Sequence, residues 1–220
     1  MIRRHKPTCY RVCKRALDLL GAAAGLVVLG ILFLPVAIAI KLDSPGPIFF
    51  VQARVGKDER VFPFYKFRTM RIGSPVLGKL PSDHDARVTA VGRFLRRTGI
   101  DEVPQFINVL RGEMSLVGPR PELPDFFPHY APWQRRRVEV LPGITGWWQV
   151  NGRRQPMQEN ISYDIYYVDH CSLALDLKIL LLTIPALFRP EAEFPSREGS
   201  PAAAPAVEPA KLTSIRSDNP

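Results

Sequence analysis

An uninterrupted apolar stretch near the start is the feature that most constrains this chain. Residues 19–40 are 22 consecutive amino acids without a charge. About 20 apolar residues cross a bilayer core, so this length predicts a membrane-inserted helix. A secretory signal peptide is one alternative, but its apolar region is shorter and precedes a small-residue cleavage site, which is missing here. A buried soluble helix is the other alternative, and the uninterrupted length disfavours it.

The charges around this stretch bear on whether it crosses the membrane. Basic residues lie on both sides: Arg3, Arg4, Lys6, Arg11, Lys14 and Arg15 before it, and Lys41, Arg54, Lys57, Arg60, Lys66 and Arg68 after it. Lys and Arg near membrane segments prefer the cytoplasmic side, so both flanks favour the same side. Pro35 removes one helix hydrogen bond and predicts a kink or break. We therefore predict a re-entrant helix within residues 1–45. A kinked spanning helix stays open, because transmembrane helices tolerate proline.

The remaining chain divides into a body and a tail. A length of 220 residues allows one catalytic-sized domain with accessories. Residues 191–220 are rich in Pro, Ala, Ser and Glu without apolar periodicity, which predicts a disordered tail. Residues 46–190 are then the folded domain. The net charge of +9 favours anionic partners, namely nucleic acid, phosphorylated substrates or an anionic membrane.

Within the body, the pattern predicts an α+β fold that is mainly helical with short β-hairpins. Residues 48–54 and 60–70 are rich in Phe, Val and Tyr and predict two strands joined through residues 56–58. Period-two alternation would place Lys66 and Arg68 on one face of the second strand. A solvated strand face explains such a pair equally well.

The most informative segment is VGRFLRRTGIDEVPQFINVLRGEMSLVGPRPE, residues 91–122. Its apolar residues recur at helical spacing, and Pro104 is acceptable only in a first turn, so the helix is predicted to begin near Asp101 after Thr98 and Gly99. Asp101 and Glu102 then lie at a helix N-terminus, where acidic residues often only stabilise the helix. The same place is rich in arginine, including Arg93, Arg96, Arg97 and Arg111. Such an arrangement also binds phosphate, and a carboxylate there could attack phosphorus or hold a divalent cation.

Two further segments have the character of anion sites. Arg120 stands between two prolines in a stiff turn, and residues 142–153 combine turn glycines, Trp147, Trp148 and Arg153. The second segment would suit a base or sugar stacked on an indole, with phosphates held by Arg153. A loop with structural tryptophans is the alternative. Neither a phosphate-binding P-loop nor a dinucleotide fingerprint is present in the sequence.

The order of these motifs resembles the bacterial sugar transferases. The shared segments are KFRTM, IDEVPQFINVLRGEMSLVGPRP, PGITGWWQVNGR, YDIYYV and LDLKILLLT, and the resemblance extends from about residue 10 to residue 188. These are monotopic phosphoglycosyl transferases, which begin glycan assembly on a polyprenol phosphate. One departure is Leu34-Pro35, where the family has Ser-Pro at its helix break.

The resemblance implies transfer of a sugar-1-phosphate from a UDP-sugar to undecaprenyl phosphate, with release of UMP. It identifies Asp101 as the nucleophile and a Mg²⁺ contact, and Glu102 as an aid to proton transfer. Lys66, Arg68, Arg96, Arg120 and Arg153 become the expected substrate-binding residues. Glucose and galactose are the expected sugars, by weak analogy to members that make exopolysaccharide.

The resemblance also sets the expected location and partners. The expected location is the bacterial inner membrane, with the catalytic domain at the membrane surface facing the cytoplasm. Besides the substrates, the lipid bilayer is an expected partner, nucleic acid is not, and self-association and downstream glycosyltransferases are partners to test. Two rival classes are a nucleic-acid-binding protein, for which the dyad and the apolar stretch would serve no purpose, and a non-catalytic membrane adaptor, which would not need the dyad with its arginines.

Overall fold

The computed structural model of the protein describes residues 7–73, 85–151 and 160–188. The predicted disordered tail, residues 191–220, lies outside these ranges. So does Arg153. The domain limits at residues 45 and 190 therefore stay predictions.

The apolar stretch forms part of one long helix, α1, from Thr8 to Asp43. Its 36 residues correspond to about 54 Å. Pro35 lies inside the helix, and the helix continues past it, because proline removes only one backbone donor and its fixed φ is helical. The predicted break at Pro35 is therefore not observed, and the re-entrant course through a membrane stays a prediction. Among the described residues, α1 is the one helix long and apolar enough to cross a membrane.

One face of α1 packs against the domain along most of its length. Gly21 and Gly25 lie so close to Leu116 and Phe106 that an added Cβ would stand 2.4 and 2.3 Å from those side chains. Further along, the buried residues Leu29, Val36 and Ile40 share a cluster with Phe67 and Leu95. Helix α1 thus contributes to the core of the domain in both of these regions.

The opposite face of α1 is exposed and apolar. Its exposed residues recur every three, four or seven positions: Leu20, Val27, Ile31, Leu34, Ile38 and Leu42. An apolar stripe of this length on a water-facing surface is unusual for a soluble protein. The C-terminal helix carries a second exposed row, Leu177, Leu181 and Ile184. These surfaces support association of the protein with a membrane.

Two small sheets accompany the helices. Strands β1 (Phe49–Val55) and β2 (Val61–Phe67) form an antiparallel hairpin, connected by a 3-10 turn at Lys57–Glu59. The hairpin is confirmed, but β2 ends at Phe67, three residues earlier than predicted. The other sheet pairs β3 (Ser115–Val117) with β4 (Gly143–Thr145) in parallel, so one hairpin is found within the described residues where the sequence predicted more.

Short helices make up most of the rest of the described chain. The α-helices are α2 (Ala90–Thr98), α3 (Phe106–Arg111), α4 (Pro132–Arg135), α5 (Trp147–Asn151), α6 (Ile161–His170) and α7 (Leu173–Phe188). Further 3-10 helices span Ile100–Gln105, Phe127–His129 and Arg136–Glu139. The mainly helical α+β class is confirmed.

Candidate active site

A sharp turn at Gly99 brings the acidic pair into position. Helix α2 ends at Gly99, whose φ of +73° is left-handed and favours glycine. The chain then enters the 3-10 helix Ile100–Gln105, with Asp101 and Glu102 in its first turn, and continues into α3. The helix begins where the sequence predicts, but its first turns are 3-10 rather than α-helical.

Glu102 is the centre of a set of ion pairs. Its Oε1 accepts hydrogen bonds from Lys66 Nζ at 2.6 Å and from Arg120 Nη2 at 3.0 Å. Burial opposes ionisation of this carboxyl, but the two cations outweigh burial and hold the pKa of Glu102 well below its usual range. Glu102 is therefore ionised at neutral pH and joins β2 to the Arg120 turn.

Asp101 has a different environment, although it is adjacent in sequence. Its side chain is 9% exposed, and its Oδ2 lies 3.7 Å from Lys66 Nζ. Burial raises the pKa of Asp101, and the neighbouring Glu102 adds to the rise, while Lys66, Arg96 and Arg120 oppose it. A carboxylate that is buried without a tight ion pair keeps an available oxygen, which suits a nucleophile better than a structural cap.

Arg96 is a third basic residue near Asp101. It projects from α2 and its Nε donates to Thr69 Oγ1 at 2.9 Å, and its charge lowers the pKa of Asp101. Lys66, Arg96 and Arg120 thus surround two carboxylates. The surplus positive charge provides a place for an anionic group such as a phosphate.

One of the predicted substrate-binding residues, Arg68, has other partners in the described structure. Arg68 is buried, and its Nη2 donates to the Ser44 carbonyl at 2.7 Å while its Nη1 donates to the Pro45 carbonyl. Because β2 ends at Phe67, the alternation that would place Arg68 beside Lys66 does not continue. Arg68 instead fixes the turn that follows α1. Arg153 lies outside the described residues.

The two tryptophans have intramolecular partners. Trp148 is 5% exposed. Trp147 stacks on Tyr166 with ring centroids 5.4 Å apart, and Lys178 Nζ lies 5.5 Å from its ring centroid. These contacts favour the interpretation as structural tryptophans over that of an open platform for a base.

Sequence reasoning missed several charged residues close to the site. Arg54 donates to the Pro121 carbonyl at 3.2 Å, and Arg137 donates to the Arg120 carbonyl at 2.6 Å. Alternation along β1 could have signalled Arg54. Arg137 belongs to an arginine run that looks like surface charge, yet it is 3% exposed and pairs with buried Asp164. Asp176 is also buried and binds Lys14 at 3.0 Å.

The donors around Asp101 are compatible with magnesium. Within residues 7–73, 85–151 and 160–188, no group of three or more His, Cys, Asp or Glu side chains could hold a metal ion. Mg²⁺, however, commonly uses one or two carboxylates together with waters and substrate phosphates. Asp101 offers a hard oxygen ligand of this kind, and the cations around it would bind the phosphates.

The site as a whole places basic side chains beside a carboxylate pair, in a domain that shares its core with a long apolar helix. The family model for bacterial sugar transferases matches residues 9–190. The chain belongs to this family. The family resemblance noted from the motifs is thereby confirmed.

Three curated relatives are each 44% identical to this chain. They are a sugar transferase of Bacillus subtilis that has no characterised activity, the UDP-N-acetylgalactosamine-undecaprenyl-phosphate N-acetylgalactosaminephosphotransferase of Aeromonas hydrophila, and the UDP-glucose:undecaprenyl-phosphate glucose-1-phosphate transferase of Caulobacter vibrioides. The matches span 79%, 80% and 79% of this chain and 86%, 43% and 69% of the relatives. The chain thus spans less than half the length of the Aeromonas protein.

Proposed function

We propose that this protein transfers a sugar-1-phosphate from a UDP-sugar to undecaprenyl phosphate and releases UMP, as the first membrane step of exopolysaccharide or related glycan assembly. The observation that carries the proposal is the contrast within the dyad. Glu102 is tied to Lys66 and Arg120, whereas Asp101 is buried nearby without a tight ion pair. The names of the Aeromonas and Caulobacter relatives support the two substrates.

The chemistry proceeds in two displacements at one phosphorus atom. An Asp101 carboxylate oxygen attacks the sugar-bearing phosphorus of the UDP-sugar, and the bond from that phosphorus to the bridging oxygen breaks, so UMP leaves with the bridging oxygen. The result is a phosphosugar joined to Asp101 by an acyl-phosphate bond. An oxygen of undecaprenyl phosphate then attacks the same phosphorus, which frees Asp101 and forms the lipid diphosphate sugar.

The cations around the dyad allow an anion to approach a diphosphate. Lys66, Arg96 and Arg120 would bind the phosphate oxygens and stabilise the charge that develops on the departing UMP. Arg153 stays a predicted further ligand. Mg²⁺, when bound with Asp101 as its protein ligand, would supply additional charge neutralisation. Glu102 is ionised in the resting site and stays the predicted aid to proton transfer.

The lipid substrate requires a site at a membrane surface. Both ends of α1 contact the domain, since Lys14 near its start binds Asp176 and Asp43 at its end accepts from the Val91 amide. A helix fixed in this way supports a monotopic arrangement, with the re-entrant or surface-bound α1 and the domain on the cytoplasmic side of the bacterial inner membrane.

The direct test is UMP release by the purified protein in nanodiscs, with undecaprenyl phosphate and a panel of UDP-sugars. We expect release with UDP-glucose or UDP-galactose, and the panel also includes UDP-N-acetylgalactosamine. Product formation that requires both substrates would support the transfer. Absence of UMP from every UDP-sugar would contradict the proposed function and favour a non-catalytic adaptor.

A further inference from the structure

The turn that carries Arg120 is held by hydrogen bonds to its main-chain carbonyls from three parts of the fold. The Gly143 amide donates to the Pro119 carbonyl at 2.9 Å, and the Val55 amide donates to the Glu122 carbonyl at 2.8 Å. Between them, the Arg54 side chain donates to the Pro121 carbonyl and the Arg137 side chain to the Arg120 carbonyl. Four consecutive carbonyls are thus fixed from β1, β4 and the segment after α4.

Arg137 is the most deeply buried of these donors. Its side chain is 2% exposed, and the same Nη2 that binds the Arg120 carbonyl also donates to Asp164 Oδ2 at 2.6 Å. Its Nη1 lies 3.3 Å from Tyr130 Oη and 3.5 Å from Glu122 Oε2. Tyr130 in turn donates to Glu122. The buried pair therefore connects α6, through Asp164, to the turn that bears Arg120.

The buried ion pair between Arg137 and Asp164 is energetically costly. Desolvation offsets most of the attraction between buried charges, so apolar residues of similar volume are often at least as stabilising. Asp164 also has one carboxylate oxygen, Oδ1, that is buried and has no hydrogen-bond partner among the described residues. This cost is understandable if the pair holds something in place.

We propose that Arg137 and Asp164 are positioning residues that act through the Arg120 main chain and set the place of the Arg120 guanidinium beside Glu102. The inference rests on the proposed function, because Arg120 is there assigned to the phosphates. The guanidinium lies 3.0 Å from Glu102 Oε1, so a shift of the turn would move a charge away from both the dyad and the substrate.

The test combines Arg137→Lys with Arg120→Gln. Lysine keeps the charge near Asp164 but loses the planar fork that reaches two acceptors at once. We expect kcat per folded enzyme to fall about a hundredfold, with little change in the KM for the UDP-sugar, because a misplacement of about 1 Å can have that effect. In the Arg120→Gln background the same substitution should have almost no further effect.

The two backgrounds separate positioning from a simple loss of folded protein. A purely structural defect would reduce activity by the same factor with or without the Arg120 side chain, and that result would overturn the proposal. Arg136→Lys is the matched control, since Arg136 is the adjacent arginine and pairs with Asp169 and Glu139 near the surface. It should retain wild-type kinetics. If Arg137→Lys does not fold, Asp164→Asn replaces it in the same comparison.

A readout without turnover distinguishes this inference from the proposed function. Hydrogen exchange of the Val55 and Gly143 amides reports directly on the hold of the turn. We expect both amides to exchange faster in Arg137→Lys than in the wild-type protein. In Arg136→Lys their exchange rates should be unchanged. Unchanged exchange in Arg137→Lys would overturn the positioning role, even if the enzyme is active. If Arg137→Lys shows faster exchange but the wild-type protein releases no UMP, the role of Arg137 in holding the turn would be supported. The assigned reaction would be refuted.

Discussion

Asp101 and Glu102 are neighbours in the chain but are distinguished by their partners. We predict that Asp101→Asn abolishes turnover, because it preserves size and removes the charge needed for attack. The loss should reach at least about a thousandfold, the order expected for removal of a nucleophile. Mass spectrometry of wild-type protein quenched with UDP-sugar alone should detect a phosphosugar on the peptide that contains Asp101. Near wild-type turnover in Asp101→Asn would exclude the covalent step at this residue.

Lys66 provides a test of the electrostatics at Asp101. The attack needs ionised Asp101, so kcat/KM should fall as the pH falls through the pKa of Asp101, which lies above the usual 3.8. Lys66 lowers that pKa, so Lys66→Gln should raise it further and move the acid limb of the pH profile to higher pH. Lys57→Gln, in the exposed turn of the hairpin, is the matched control and should leave the limb in place. An unmoved limb in Lys66→Gln would contradict the assignment.

The metal requirement is also a residue-scale question, because Asp101 is the expected ligand. We predict that excess EDTA stops UMP release and that added Mg²⁺ restores it. Zn²⁺ should restore activity poorly, since the donors near Asp101 are oxygens rather than thiolates or imidazoles. Full activity in the presence of chelator would remove the metal from the mechanism.

At the scale of elements, the contact between α1 and α3 sets the position of the dyad. Gly25 faces the ring of Phe106, the first residue of α3, and Arg15 donates to the Val109 and Leu110 carbonyls at the other end of α3. Helix α1 therefore fixes both ends of the short helix that continues from Asp101 and Glu102. A defect in this packing should reach the active site.

We predict that Gly25→Ala destabilises the protein by about 1–3 kcal/mol, because the new methyl group would collide with Phe106. Activity should fall as well, since α3 must shift. Gly30→Ala is a matched control on the same helix, with nothing within 4 Å of the added atom. It should be neutral or stabilising by up to about 1 kcal/mol, as alanine favours helix. Thermal unfolding in detergent, followed by tryptophan fluorescence, measures both; equal stability of the two variants would contradict the packing.

The elements also show what the sequence could and could not predict. Gly99 and Pro104 place the start of the dyad helix by local backbone rules, and those rules hold in the structure. The contacts of Arg68 and the β3–β4 pairing could not be predicted, for another reason. The end of β2 and the pairing of two three-residue strands depend on contacts between distant segments, which leave no period in the sequence. Arg137 was missed similarly, because its burial depends on Asp164.

At the scale of the whole molecule, the contacts of α1 predict on which side of the membrane the N-terminus lies. With its first and last turns both held by the domain, the N-terminus should lie on the same side of the membrane as the catalytic site. A reporter near each end can test this. Cys9 is exposed in the first turns of α1 and Lys57 is exposed in the hairpin.

We predict that an impermeant maleimide labels neither Cys9 nor the cysteine introduced by Lys57→Cys in intact cells. Each reporter is tested alone, with Cys13→Ser and Cys171→Ala in the background, and Cys9→Ser added for the Lys57→Cys reporter. Both should react once the cells are opened. Labelling of Cys9 from outside, with Lys57→Cys protected, would establish a spanning helix. That result would contradict the same-side arrangement.

The contacts of α1 also impose an order on biosynthesis. Lys14 leaves the ribosome more than 160 residues before Asp176, its partner at 3.0 Å. The inner face near Leu29, Val36 and Ile40 waits a shorter time, because its neighbours Phe67 and Leu95 are made before Asp176, but until then it must be sheltered elsewhere. The bilayer that attracts the outer apolar stripe can shelter the inner face as well.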